Sequence, residues 1–149
     1  MAYQTSGNIA VFDDDVVKFA DFVGEVDQQL STDTNNWSNS IYQNVKKALA
    51  KKKKGEVDSH EVQLIKGLIR KSEAKSACRY VGIEDHQMHF LNLPFYETGK
   101  VRKKPIGQDD IQITTDFIQQ IKPHQIYACL LYTSPSPRGQ IGSRMPSSA

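Results

Sequence analysis

The sequence predicts an open, mostly parallel α/β sheet flanked by helices. Three observations predict it. Helical periodicity recurs in separate stretches, a short apolar strand at 88–93 (MHFLNL) ends at Pro94, and another strand starts at 125–128 (QIYA) after the last helix. Strand end, helices, strand, helix, strand is the order in which a parallel sheet is wound. The apolar content, 38%, is low for such a domain, whose strands are usually covered on both faces.

Residues 1–11, MAYQTSGNIAV, carry a turn cluster, Thr5-Ser6-Gly7-Asn8, almost at once. They read as the end of a strand and the loop after it, so Met1 is expected to be internal to a longer protein. A helix is expected over Asp13–Leu30. Asp13, Asp14 and Asp15 put negative charge where the helix dipole favours it. Val16, Phe19, Val23, Val26 and Leu30 then recur at spacings of three and four, and are expected to face inward. Residues 31–36 read as a polar loop.

A second helix is expected over 40–54, with Ile41, Val45, Ala48 and Leu49 on one side. Lys51, Lys52, Lys53 and Lys54 close it as a solvated, cationic end, and Gly55 stops it. The third helix starts near Asp58 or Ser59. Asp58 with Glu61 resembles a capping box, which Ser59 with Val62 does not complete. Val62, Ile65, Ile69, Ala77 and Val81 define its expected inner face, with Leu68 and Ala74 beside it, and Gly82 ends it. After the 88–93 strand, residues 97–105 form a loop rich in Gly, Lys and Arg. The fourth helix is expected over Gln108–Ile121. Asp109 and Asp110 sit in its first turn, Ile111, Phe117, Ile118 and Ile121 face inward, and Lys122-Pro123 ends it.

Charge excludes little. Of 19 Lys and Arg, only Arg138 and Arg144 follow Ala128, and no Asp or Glu does, so residues 1–127 are neutral overall. The mild basicity gives no argument for a nucleic-acid partner. Two cysteines make no disulfide framework and no CxxC knuckle, which fits a reducing compartment. No apolar run approaches the ~20 residues that span a bilayer, so no membrane partner is predicted. No leader pattern is visible, and a cytoplasmic location is expected. The oligomeric state has no signature.

Residues 129–149, CLLYTSPSPRGQIGSRMPSSA, change character: periodicity stops, and Ser, Pro, Gly and Arg dominate. CLLYTSPSPR resembles the forward translation of a transposase-type sequencing adapter, SRMPSSA the flow-cell end of the same molecule, and 139–142 fill the place of a short index. The segment is expected to be a non-native, disordered tail, with the natural sequence cut at about Ala128.

Little chemistry stands out by residue type. His60-Glu61 is followed by Leu64 where HExxH needs a second histidine. His86 and His89 are three apart, but on a connector and a strand, and His124 stands alone. No Asp/Glu/His trio has ligand spacing, so neither a metal ligand nor a catalytic residue is assigned. No GxGxxG follows a strand. Cys78 reads as a buried structural thiol, with no cationic helix start or His partner to activate it. Arg70 and Glu73 form an i, i+3 ion pair on the third helix.

The stretch IRKSEAKSACRYVGIEDHQMHFLNLPFYETGK changes the reading. Arg70-x-x-Glu73, the small residues Ala74 and Ala77, Gly82, and His89-Phe90-Leu91 leading to Pro94 form a collinear set. It resembles the LmbE-like (PIG-L) family of zinc-dependent N-deacetylases. AYQTSGNIAV resembles the end of that family's second strand and its active-site loop. GLIR, LPFYETGK and KPHQI are closer still to the LmbE-like domain fused behind a glucosamine-6-phosphate deaminase domain in some bacterial proteins. The resemblance covers residues 2–128.

It implies an incomplete Rossmann-like domain, an amino-sugar substrate, and zinc as the cofactor of the parent domain. It places Thr5, Ser6, Gly7 and Asn8 along the pocket and Arg70 near it, as substrate-binding residues. In the family the metal is held by an HPDD-type segment after the first strand and an HxxH-type segment after the strand that QIYA begins. Neither exists here, so the chain is expected to bind no zinc, to be inactive by itself, and to fold poorly without a central strand. The alternative is a non-catalytic α/β interaction module with a natural Ser/Pro-rich tail.

Overall fold

A computed structural model describes residues 1–30, 37–53 and 55–127. The expected loop at 31–36, Lys54, Ala128 and the tail at 129–149 lie outside the described residues. The chain divides into two compact units, Met1–Asp116 and Phe117–Ala149.

The first unit is mostly helical around a small parallel sheet. In order it holds β1 (Ala2–Tyr3), a 3-10 turn (Asn8–Ala10), α1 (Asp13–Leu30), α2 (Trp37–Lys51), α3 (His60–Tyr80), a 3-10 turn (Asp85–Gln87), β2 (His89–Phe90) and the start of α4 (Gln108–Ile121). β1 and β2 pair in parallel, Ala2 opposite His89 and Tyr3 opposite Phe90. Backbone bonds extend the pairing: Leu91 N–H donates to the Tyr3 carbonyl at 2.9 Å and Leu93 N–H to the Gln4 carbonyl at 2.8 Å. The Tyr3 and Phe90 rings stack across the pair, 5.1 Å between centroids.

The expected 88–93 strand thus shrinks to two residues, because β1 turns away at Thr5 and a ladder lasts only as long as its partner. The expected strand at 125–128 is also absent over its described part. Gln125, Ile126 and Tyr127 are exposed and pair with no strand among the described residues. The architecture is compatible with α/β, and its sheet is smaller than the sequence predicts.

The core gathers Val11, Val16, Val45, Val62 and Ile69, with Ala48, Leu49 and Ile65 packed against it. α1 begins and ends where predicted, but its apolar stripe is covered only near its start. Val16 and Ala20 are buried, whereas Phe19, Val23 and Val26 are partly open and Leu30 is 77% exposed. α2 lies alongside those later turns, tied at Asp27, but leaves their apolar residues open. α2 begins at Trp37, earlier than predicted. Val45 is buried and Ile41 is exposed. The buried Ser38 hydroxyl donates to the Asp27 carboxylate and ties α2 to α1.

α3 corrects two expectations. Ser59 is its N-cap, its Oγ accepting from Val62 N–H at 3.4 Å, and Asp58 is used elsewhere. The buried line runs through Val62, Lys66, Ile69 and Cys78, which turns Leu68, Ala77 and Val81 outward. Its end follows the expected glycine. Gly82, at φ 81°, donates to the Arg79 carbonyl at 3.0 Å, and Ile83 N–H donates to the Cys78 carbonyl at 2.9 Å. That is the paired closure of a Schellman motif. The buried Cys78 thiol lies 3.3 Å from Tyr3 Oη and packs the helix on the sheet.

α4 also matches its predicted bounds. In the first unit it is anchored by its first turn: buried Asp110 accepts from Phe95 N–H at 2.9 Å and from Gly107 N–H at 2.7 Å. Ile111 is exposed, so the helix start is held by hydrogen bonds and not by the apolar face the sequence predicts. The described part of the second unit is the end of α4 and residues 122–127. There Phe117 is partly buried, and Ile118 and Ile121 are exposed, against expectation.

A ring of four charges links the start of α1, the residue after α2, the segment before α3, and α3 itself. Lys66 Nζ, on a side chain 6% exposed, lies 2.6 Å from Asp13 Oδ1 and 2.8 Å from Asp58 Oδ2. Lys52 Nζ lies 2.8 Å from Asp13 Oδ2 and 2.5 Å from Asp58 Oδ1. Lys52 is therefore tied, unlike the solvated run predicted for it, while Lys51 and Lys53 are exposed.

Burial pushes the Asp13 carboxyl up, and the hydrogen bonds from Lys52 and Lys66 outweigh it and hold it below the ordinary value of 3.8. Burial likewise pulls Lys52 down, and its contacts with Asp13 and Asp58 outweigh it and hold the ammonium above 10.5. A depressed carboxylate contributes stability above its unfolded pKa that is lost as pH falls through the folded value. A raised ammonium contributes stability below its unfolded pKa that is lost as pH rises through the folded value. The thermal midpoint is therefore expected to be flat from about pH 5 to 9 and to fall on both sides. Asp13→Asn should flatten the acid limb. An unchanged acid limb in that variant would dismiss the ring as its source.

Candidate functional site

Because β1 and β2 are parallel, the loops that follow them leave on the same side of the sheet. In open α/β sheets that carboxyl end is where ligands bind. The loop after β1 carries Thr5-Ser6-Gly7-Asn8. The loop after β2 carries Phe95, Tyr96 and Glu97.

α3 positions the first loop from the side. A Cβ at Gly67 would lie 3.6 Å from Ser6 Cβ, so a small residue there lets the loop sit close. Gly7 takes the left-handed conformation, φ 67°. A Cβ on it would meet Arg70 Nε at 3.4 Å and Cγ at 3.5 Å, so the Arg70 side chain lies against the glycine backbone. Arg70 also pairs with Glu73, and both are exposed. Asn8, 4% exposed, donates its N–H to Ser6 Oγ at 3.4 Å, and its buried Oδ1 has no hydrogen-bond partner.

The second loop closes on the first. Glu97 Oε1 accepts from Ser6 N–H at 2.9 Å and Oε2 from the Ser6 hydroxyl at 2.8 Å. Beside it, burial pushes the Tyr96 phenol up, the Glu97 charge adds to this, and Arg70 opposes it. Lys103 Nζ sits 3.4 Å from the Tyr96 ring centroid and donates to the Tyr96 carbonyl at 3.2 Å. Burial lowers the Lys103 pKa, against the pull of Glu97.

Of the sequence-predicted residues, the structure brings Ser6, Gly7, Asn8 and Arg70 together. Thr5 lies in the same loop, half-buried. Glu97, Tyr96 and Lys103 escaped sequence reasoning. The available signal was Glu97 itself, the one acid in the otherwise basic run ETGKVRKK. His60 and His86 are exposed away from this cluster, and His86 Nδ1 lies 3.2 Å from Glu84. Among the described residues no group of three His, Cys, Asp or Glu side chains could hold a metal ion, so they do not fit a zinc site. No described helix is long and apolar enough to cross a membrane. The arrangement can present hydroxyl, amide and guanidinium donors to a polar ligand.

The chain is 44% identical over 127 residues to a glucosamine-6-phosphate deaminase-like protein of Bacteroides thetaiotaomicron. The match covers 85% of this chain and 19% of that protein, so the chain spans a small part of the relative's length. No family model matches the chain, and no solved structure matches it.

Proposed function

We propose that this chain is part of an amino-sugar enzyme: the middle of a zinc-dependent N-deacetylase-like domain, with residues 5–8 and Arg70 as one wall of the sugar pocket. The observation that carries the reading is the approach of Arg70 to Gly7 at the carboxyl end of two parallel strands. The name of the B. thetaiotaomicron relative adds an amino sugar as the substrate class. The resemblance of residues 69–100 to LmbE-like deacetylases adds amide hydrolysis.

On this reading the chain's own residues bind and orient. Ser6 and the backbone around Gly7 approach the sugar, with Arg70 packed against Gly7 beside them. The Arg70 guanidinium supplies a fixed positive charge and a planar set of donors for an oxyanion. The described residues offer no zinc donor set, and on this reading the metal's ligands come from flanking segments of a longer protein.

The test compares the 149-residue chain with a longer reading frame that contains it. Each is assayed for zinc content and for acetate release from N-acetylglucosamine and its 6-phosphate. The longer protein should release acetate and lose activity to a chelator, and the 149-residue chain should do neither. Chelator-sensitive turnover by the short chain would overturn its reading as an incomplete domain. Ammonia release with no acetate from the longer protein would replace deacetylation with deamination.

A further inference from the structure

The contact between Glu97 and Ser6 is a carboxylate held by two donors of one residue, next to a left-handed glycine. Backbone N–H groups in such turns make concavities that take anions. Here the anion is the protein's own. Glu97 is exposed, and the run ETGKVRKK that carries it has one acid among four cations, Lys100, Arg102, Lys103 and Lys104. The acid alone reaches into the first loop.

We propose that Glu97 holds the place of a ligand's phosphate, and that a phosphorylated sugar binds at Ser6–Gly7 by displacing it. This rests on the reading of residues 5–8 as a sugar-pocket wall and names the substrate class as a phosphomonoester. Two features fit the exchange. Arg70 lies against Gly7 and carries donors beyond the one that Glu73 takes. Lys103 stands close enough to feel the Glu97 charge, and would face the incoming phosphate instead.

Release of Glu97 leaves its loop in place. Lys104 N–H still donates to the Phe95 carbonyl at 3.1 Å, Lys103 to the Tyr96 carbonyl, and Asp110 still holds Phe95 N–H. Displacement therefore breaks two hydrogen bonds in water and lets an exposed side chain swing out.

The test is a titration of inorganic phosphate into the 15N-labelled 149-residue chain, following the Ser6, Gly7 and Asn8 amides. Saturable shifts at these amides are expected. If the self-bound state holds about nine molecules in ten, Glu97→Gln should bind phosphate about tenfold more tightly. Ser6→Ala, which removes one donor and no charge, should bind more weakly than the parent chain. The advantage of Glu97→Gln should persist in 0.5 M NaCl, because it reflects removal of a competitor in contact. A ratio that collapses to one in that salt would show charge alone and overturn the proposal. So would shifts that never saturate, or that spread over the surface lysines. Should Glu97→Gln not fold, the parent chain and Ser6→Ala carry the decision. Phosphate binding here is read without turnover. A longer protein that releases no acetate would sink the deacetylase reading and leave this one standing, and the reverse result would sink this one alone.

Discussion

Asp58→Ala is expected to lower the folding stability of this chain by roughly 2–3 kcal/mol at pH 7, less than the 3–5 kcal/mol of a fully buried pair. The reason is what it strands. Lys66 is buried on the same face of α3 as Val62 and Ile69, and its ammonium is balanced by Asp13 and Asp58. Without Asp58, one carboxylate must balance Lys66 and Lys52 together, and that carboxylate, Asp13, is 41% exposed. Partial exposure is why the fully buried figure does not apply.

Replacing the charge itself behaves differently. Lys66→Met keeps the apolar stem and leaves both carboxylates with Lys52, so its cost should be smaller than that of Asp58→Ala. The double variant Asp58→Ala, Lys66→Met removes the stranded charge and should recover much of the loss. Urea unfolding of the four species closes the cycle. By contrast, the bidentate Arg79–Asp85 pair is solvent-exposed, so Arg79→Ala should leave the unfolding midpoint almost unmoved. An Asp58→Ala midpoint within error of the parent chain would remove the ring from any account of the fold.

That ring marks the limit of what the sequence made legible. Periodicity and punctuation located α1 and α4 to the residue and placed the end of α3, because acidic starts, Gly82 and Lys122-Pro123 act locally. What stayed hidden is set by partners distant in sequence. Lys66 interrupts the Val62–Ile69 stripe and reads as a surface lysine until Asp13, 53 positions away, is seen to meet it. Asp13 reads as a dipole charge, Asp58 as a cap, and Lys52 as one of a lysine run; each is drawn from its local role into the same ring. The apolar stripe of α1 is legible as a stripe, yet its spacing cannot say that the described fold covers only its first turns.

The candidate site divides the same way. The Thr5–Asn8 turn is written in its residue types, and Arg70 in its pairing with Glu73. Their approach depends on the left-handed turn at Gly7, which brings its backbone against Arg70 of α3. Glu97 lies 91 positions from Ser6, and no local pattern announces that contact.

Arg70→Ala, made in the longer protein, is expected to lower kcat/KM for the N-acetylated amino sugar by about 100-fold, in line with loss of one charge-assisted hydrogen bond that holds the substrate. Folding should be nearly untouched. The Arg70 side chain is 43% exposed, and an i, i+3 pair such as Arg70–Glu73 contributes only about 0.2–0.5 kcal/mol. Stability and activity therefore separate at this residue, which a purely structural arginine would not allow. Arg70→Lys keeps a charge and loses the planar fork that lies along Gly7, so it should recover little of the lost rate. Glu73→Gln supplies the complementary readout: it removes the partner of Arg70 while leaving the guanidinium beside Gly7, and should cost far less than Arg70→Ala. If Arg70→Ala lowers the thermal midpoint and kcat/KM in step, or leaves both alone, Arg70 is a surface ion-pair residue and the pocket wall must be sought elsewhere on the loops that follow β1 and β2.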